Sequence, residues 1–199
     1  MKNIFAELFN RNTSAEDELQ DQKRAIRQKI RHRKQHITTT EMQESAERVF
    51  EKIENMDEFK NAKKILLYWS MPDELNTHAF IVKWAKDKQI LLPVVKENDM
   101  LVQPFSTKND LKQGKFGIWE PEIQKEYISD IDLVIVPGVA FDRYKSRLGR
   151  GKGYYDKYFV MNKIKKIGIG YDFQLVDNVP TANYDIKMDI IITPNHTII

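Results

Sequence analysis

Between Asp132 and Gly138 the chain reads Leu-Val-Ile-Val-Pro, and the first four of these side chains are all apolar. A strand wetted on one face alternates polar and apolar residues. A strand without alternation is covered on both faces, the condition of a central strand in a parallel sheet. Shorter apolar runs at 64–70, 90–95, 101–105, 166–171 and 189–193 read as further strands, with Pro93 and Pro104 marking edges or strand ends. Helical spacing covers 16–36, 40–56, 77–88 and 154–161, with Thr39 or Thr40 as the cap of the second helix. Strands alternating with helices predict one α/β domain: a three-layer open sheet, mostly parallel and Rossmann-like, with helices on both faces. That domain is expected to span 16–199. Residues 1–15 read as a leader, either flexible or forming a short extra helix, followed by a polar break ending at Ser14. Ligands of such sheets bind beyond the carboxyl ends of the strands, where Ser70-Met71-Pro72, Pro137-Gly138 and Tyr171-Asp172 stand.

Several kinds of chemistry are excluded. There is no cysteine in 199 residues, which removes disulfides and thiol catalysis and fits a cytoplasmic setting. No apolar run approaches a membrane span, and the first nine residues make a poor signal peptide. His32, His36, His78 and His196 form no metal-ligand spacing, and neither G-x-S-x-G nor H-E-x-x-H occurs. The net charge is only +3, yet Lys23, Arg24, Arg27, Lys29, Arg31, Arg33 and Lys34 crowd one segment. Ile26, Ile30 and Ile37 recur there near helical spacing. The segment therefore reads as a helix with one packed face and one solvated basic face, and no nucleic-acid partner is expected.

Residues 147–156 read Arg-Leu-Gly-Arg-Gly-Lys-Gly-Tyr-Tyr-Asp, and three of the eight glycines in the chain, Gly149, Gly151 and Gly153, alternate here. Alternating glycines let backbone N–H groups converge on one anion, and Arg147, Arg150 and Lys152 add full charges beside them. The pattern is neither a P-loop nor G-x-G-x-x-G. On composition alone, a phosphate site and a solvated basic turn explain it equally well.

Residues 136–142, Val-Pro-Gly-Val-Ala-Phe-Asp, followed by this decapeptide, resemble the signature of the 5-formyltetrahydrofolate cyclo-ligase family, also called 5,10-methenyltetrahydrofolate synthetases. Lys23–Arg27, Ser70–Glu74 and Tyr184–Asp189 are similar to the family's basic helix, substrate turn and acidic strand entry, in the same order, over roughly residues 20–194. The resemblance implies an ATP- and Mg2+-dependent closure of 5-formyltetrahydrofolate to 5,10-methenyltetrahydrofolate, with release of ADP and phosphate. It implies ATP contacts from Lys23, Arg27, Arg147, Leu148, Gly149, Arg150, Gly151, Lys152, Gly153, Tyr154 and Tyr155. Of these, Arg147, Arg150 and Lys152 are expected to neutralise charge during transfer. It also implies Mg2+ ligands at Asp156 and Asp189. Glu74 looks like the family's pterin-reading carboxylate, and Trp69, Phe116 and Tyr154 like flat walls around the substrate. The Gly117–Pro121 segment also resembles one of the family's, but no role for Glu120 follows. A monomer or weak homodimer is expected, with no membrane association. Two other readings stay open: a non-enzymatic nucleotide- or RNA-binding module, and a sugar-phosphate isomerase or transferase on a related sheet.

Overall fold

The computed structural model describes residues 2–97, 99–114, 117–123 and 130–199, with side chains described from residue 15 onward. The clearest apolar run forms β6 (Leu133–Pro137), and it lies at the centre of a seven-stranded sheet. Its neighbours are β1 (Lys64–Leu66) and β9 (Lys165–Ile169), both parallel to it. Beyond β1 lie β2 (Gln89–Lys96) and β3 (Asp99–Pro104); beyond β9 lie β10 (Ile190–Ile192) and β11 (Thr197–Ile198). Only the outermost strands, β3 and β11, run antiparallel to their neighbours. The sheet is thus mostly parallel and open. Pro104 closes edge strand β3. Pro93 pairs with Val102 beyond the last β1 rung at Leu66↔Leu91, so its missing N–H falls where β1 has already left the ladder.

Period-two alternation divides the strand residues between two faces. Ile65, Leu67, Ile90, Leu92, Leu133, Ile135, Ile167, Ile169, Ile190 and Ile192 point to one face. They meet Val49, Phe50 and Ile53 of α2 (Thr39–Asn55), Phe59 of α3 (Asp57–Asn61), and Phe80 and Ile81 of α4 (His78–Trp84). Leu66, Leu91, Val134, Val136 and Ile191 point the other way, toward Phe159 of α5 (Tyr154–Met161). Helix α1 (Lys2–Lys34) lies apart from both layers, against β7 (Ala140–Phe141) and β8 (Arg147–Leu148), and buries Ile30 against Ala140, Leu148 and Val179. It continues through residues 2–15, which composition sets apart as a leader. A short antiparallel pair, β4 (Leu111–Gln113) and β5 (Trp119–Pro121), stands outside the main sheet. Among the described residues no helix is long and apolar enough to cross a membrane.

Three local expectations are corrected. Helix α2 is capped by Thr38, not Thr39 or Thr40. From Thr38 the N3 residue is Glu41, whose carboxylate reaches back to the Thr38 amide at 2.8 Å and completes a capping box. Of the α1 cations with described side chains only Arg24, Lys29, Arg31 and Arg33 are solvated, whereas Lys23, Arg27 and Lys34 fall on the same side as Ile30 and turn toward the body. Asp132 and Asp189 both serve as strand-entry caps. Asp132 accepts the amides of Lys63 and Lys64, each at 2.8 Å, and Asp189 accepts the amide of Lys166 at 2.7 Å. An aspartate before an apolar strand thus satisfies the neighbouring strand's first donors.

The Lys64 amide first, and then that of Lys63, holds the Asp132 carboxyl below its usual range. Its stabilising contribution is therefore complete above the ordinary carboxylate pKa and lost as pH falls through the depressed native value. Asp132→Asn is expected to lower Tm at neutral pH. The gap from wild type should close on acidification, which thermal melts across the acid range measure.

Candidate active site

The strand order parts at the boundary between β1 and β6. From β1 the chain crosses to β2 on one side, whereas β6 leads to β9 and β10 on the other. The loops leaving the carboxyl ends of β1 and β6 diverge there and open a cleft of about 480 Å³. The loop after β1 carries Ser70 to Thr77 and is cross-braced. The Ser70 amide donates to Thr77 Oγ1 and the Thr77 amide to Ser70 Oγ, each at 3.2 Å, and Thr77 Oγ1 donates to the Tyr68 carbonyl at 2.6 Å. The loop after β6 turns through the β7–β8 ribbon, whose hairpin is organised by the fully buried Asp142. Its carboxylate accepts the amides of Tyr144, Ser146 and Val179, each at 2.9 Å. This ribbon delivers Arg147 and the glycine segment to the cleft wall.

Gly151 and Gly153 have φ of +104° and +68°, a region that disfavours side chains, and Gly153 caps the start of α5. Arg27 donates from Nε to the Gly149 carbonyl at 3.0 Å and ties the loop to α1. Burial pulls the Arg27 guanidinium below its usual range, and Asp185 pulls it back. Lys23 is ion-paired to Asp185, and Arg147 to Asp156 at 2.8 Å. Lys34 pairs with Asp73 at 3.0 Å. One helical stripe, Lys23, Arg27, Ile30 and Lys34, therefore fastens three rims of the cleft: the 182–186 turn, the glycine loop and the turn after β1.

The structure gathers nearly all the expected site residues in one place. Lys23, Arg27, Trp69, Glu74, Tyr154, Tyr155, Asp156 and every residue from Arg147 to Gly153 line the cleft; Phe116 lies outside the described residues. Five cations face three carboxylates, Glu74, Asp156 and Asp185, so the cleft favours an anion. Arg147 is 7% exposed, and its guanidinium also donates to the Pro137 carbonyl at 3.3 Å. It braces the loop from beneath, whereas Arg150 and Lys152 are the exposed cations of the segment. The opposite wall is apolar, with Pro93, Val95, Met100 and Ile118. A cationic half beside an apolar half suits a molecule with an anionic tail and a flat ring.

One assignment is corrected by position. Asp189 sits at the amino end of β10, the opposite edge of the sheet, with its carboxylate bound to the amide and ammonium of Lys166. Asp185 lines the cleft instead, on the segment whose Ile186 amide donates to Asp156 at 3.1 Å. Trp69 lines the cleft, but its ring is already engaged: His78 stacks on it with ring centroids 4.0 Å apart, and Phe105 lies near-parallel at 5.8 Å. Exposed aromatic surface in the cleft lining also comes from Trp119 and Tyr184, 49% and 55% exposed and neither singled out from the sequence as a wall. For Trp119 the signal was its place inside the Gly117–Pro121 segment. Glu120 of the same segment accepts the Val95 amide at 3.1 Å and so braces β5 against β2.

Comparisons with known proteins place the chain among relatives of one family. The family model described as the 5-formyltetrahydrofolate cyclo-ligase family matches residues 19–194. A 5-formyltetrahydrofolate cyclo-ligase of Haemophilus influenzae is 32% identical over 84% of this chain and 95% of its own. A probable 5-formyltetrahydrofolate cyclo-ligase of Caenorhabditis elegans is 34% identical over 82% of this chain and 88% of its own. The NMR structure of Aquifex aeolicus 5,10-methenyltetrahydrofolate synthetase superposes with a TM-score of 0.79 at 32% identity, covering 88% of this chain and 91% of that one.

The Arg147–Asp156 pair is buried, with side chains 4% and 17% exposed. Removing one partner leaves the other charge uncompensated, so Arg147→Ala is expected to cost on the order of 3 kcal/mol in urea unfolding. The apolar double replacement Arg147→Met/Asp156→Leu should recover much of that loss.

Proposed function

The chain belongs to the 5-formyltetrahydrofolate cyclo-ligase family, whose reaction converts 5-formyltetrahydrofolate to 5,10-methenyltetrahydrofolate, and from that premise we propose how this cleft performs it. ATP is the co-substrate. Its triphosphate lies along Gly149–Gly153, received by backbone N–H groups and by Arg150 and Lys152. The pterin of the folate occupies the Glu74 side, with Tyr154 and Trp119 as aromatic surfaces. The observation that carries this reading is one cleft lined both by the glycine loop with its cations and by apolar side chains, with Glu74 touching that loop through Arg150.

The chemistry follows from the leaving group. A formyl oxygen departs poorly from carbon. Attack of that oxygen on the γ-phosphorus, with ADP leaving, converts it into a phosphate ester of an iminium. N10 then attacks the activated carbon, phosphate leaves with the former formyl oxygen, and the N10 proton is released. No enzyme nucleophile is needed. The residues position the two substrates and neutralise charge as it shifts. Arg147 contributes from below, through Asp156.

Asp156 and Asp185 are the residues that would hold Mg2+. Mg2+ takes one or two carboxylates and completes its shell with phosphate oxygens and water, so this two-acid set fits. Bound there, Mg2+ would screen the negative charge of the phosphate oxygens. The absence of cysteine supports a reducing, cytoplasmic setting.

The test mixes the chain with 5-formyltetrahydrofolate and follows the absorbance of the conjugated methenyl product. The signal is expected only when ATP and Mg2+ are both present, and product formed without ATP would refute the mechanism. Asp185→Asn should raise the Mg2+ requirement about tenfold or more. Asp189→Asn should leave that requirement unchanged while lowering Tm.

A further inference from the structure

Arg150, an exposed cation of the glycine loop, does not point into open cleft. Its Nε and Nη2 donate to one oxygen of Glu74 at 3.2 and 3.0 Å, and Nη2 also donates to Asp73 at 2.6 Å. The other Glu74 oxygen accepts the Met71 amide at 3.0 Å. Glu74 is 12% exposed at its side chain, and the two acceptor directions of its cleft-side oxygen are both taken by one guanidinium. Lys34 holds Asp73 from the other side, so a chain of charges, Lys34–Asp73–Arg150–Glu74, joins α1, the turn after β1 and the glycine loop.

The ligand assigned to Glu74 under "Proposed function" carries the same donor pattern as arginine. In a pterin, the ring N3–H and the 2-amino group hang on one carbon and form a cyclic guanidine fork that fits a carboxylate with two parallel N–H donors. The Arg150 guanidinium offers the same kind of donors from within the protein, with its Nε and Nη2 converging on one Glu74 oxygen. Both cannot occupy the same Glu74 oxygen. The loop is built to let Arg150 leave. Gly149 and Gly151 flank it, its side chain is 46% exposed, and Gly149 is anchored separately through Arg27. Asp73 keeps Lys34 as its partner when Arg150 departs.

We propose that Arg150 is an internal mimic of the pterin, parked on Glu74 until folate displaces it toward the triphosphate. This inference rests on the reading of the cleft given under "Proposed function". It makes the two substrates cooperate. ATP binding alone finds one loop cation committed elsewhere, and folate binding delivers it. The charge available to the transferring phosphoryl group is then complete only when an acceptor is in place, which guards against idle hydrolysis. By linkage, folate must tighten nucleotide by the factor with which nucleotide tightens folate.

The experiment is calorimetric titration of the full chain with the β,γ-imido analogue of ATP and Mg2+, with and without tetrahydrofolate, which carries the pterin but no formyl group. Tetrahydrofolate is expected to tighten the analogue about fivefold or more in wild type, the range of ordinary coupling energies. Glu74→Gln, which keeps the shape and removes the charge, should tighten the analogue comparably without any folate, and Asp73→Asn should act in the same direction. Arg150→Ala should bind the analogue with one affinity whether or not tetrahydrofolate is present. Equal affinities in wild type with and without tetrahydrofolate, or unchanged affinity in Glu74→Gln, would overturn the mimic while leaving the nucleotide site intact. Failure of wild type to bind the analogue under any condition would overturn both readings together.

Discussion

A strand without polar side chains can leave water only if both of its edges are hydrogen-bonded and both of its faces are covered. Leu133 to Val136 meets that condition with zero exposure, between β1 and β9. The remaining architecture is arranged around this requirement. Helices α2, α3 and α4 supply one cover and α5 supplies the other. Because β1 and β6 are neighbours whose chains depart in opposite directions, their loops separate at the carboxyl edge. The cleft is the gap that the sheet order leaves there, already open before any functional residue is considered.

Charge compensation shapes what fills that gap. Each cleft carboxylate is matched by a cation: Asp185 by Lys23 and Glu74 by Arg150 from distant parts of the chain, Asp156 by Arg147 from nine positions away. Each of these acids is largely buried, and an ion pair offsets part of the cost of taking its charge out of water. The surplus of cations over acids then sets the site's preference for an anionic partner. Hydroxyls in the same region respond to burial in the expected direction. The Tyr171 phenol, which donates to the Glu74 carbonyl at 3.0 Å, is pushed up to about 12 by burial, with Asp73 and Glu74 adding to it.

Much of this was legible in the sequence, for reasons that differ by residue. The strands were readable because covering both faces removes polar residues from a run. Helix α5 was readable to the residue because glycine precedes it and helical spacing follows. The decapeptide was readable as an anion site only together with its companions. Asp189 was misread because it shares a short acidic motif with Asp185, and linear spacing does not say which of two aspartates lies at which end of a strand. The stacking of His78 and Phe105 with Trp69 was invisible because nothing in a sequence shows which rings meet in space. The basic stripe of α1 was misread as solvated because its partners lie up to 162 positions away.

Local structure, then, was settled by the sequence alone where it is periodic: six of the seven strands of the main sheet, the start and end of α5, and the glycines that permit a left-handed turn. These depend on interactions among neighbours along the chain, whose spacing is printed in the order of residues. Tertiary structure alone decided which carboxylates share the cleft, which cations are already committed, and that Arg150 rests on Glu74. Those facts depend on pairs brought together by the order of strands in the sheet, and a pairing between remote positions leaves no periodicity for a single sequence to display.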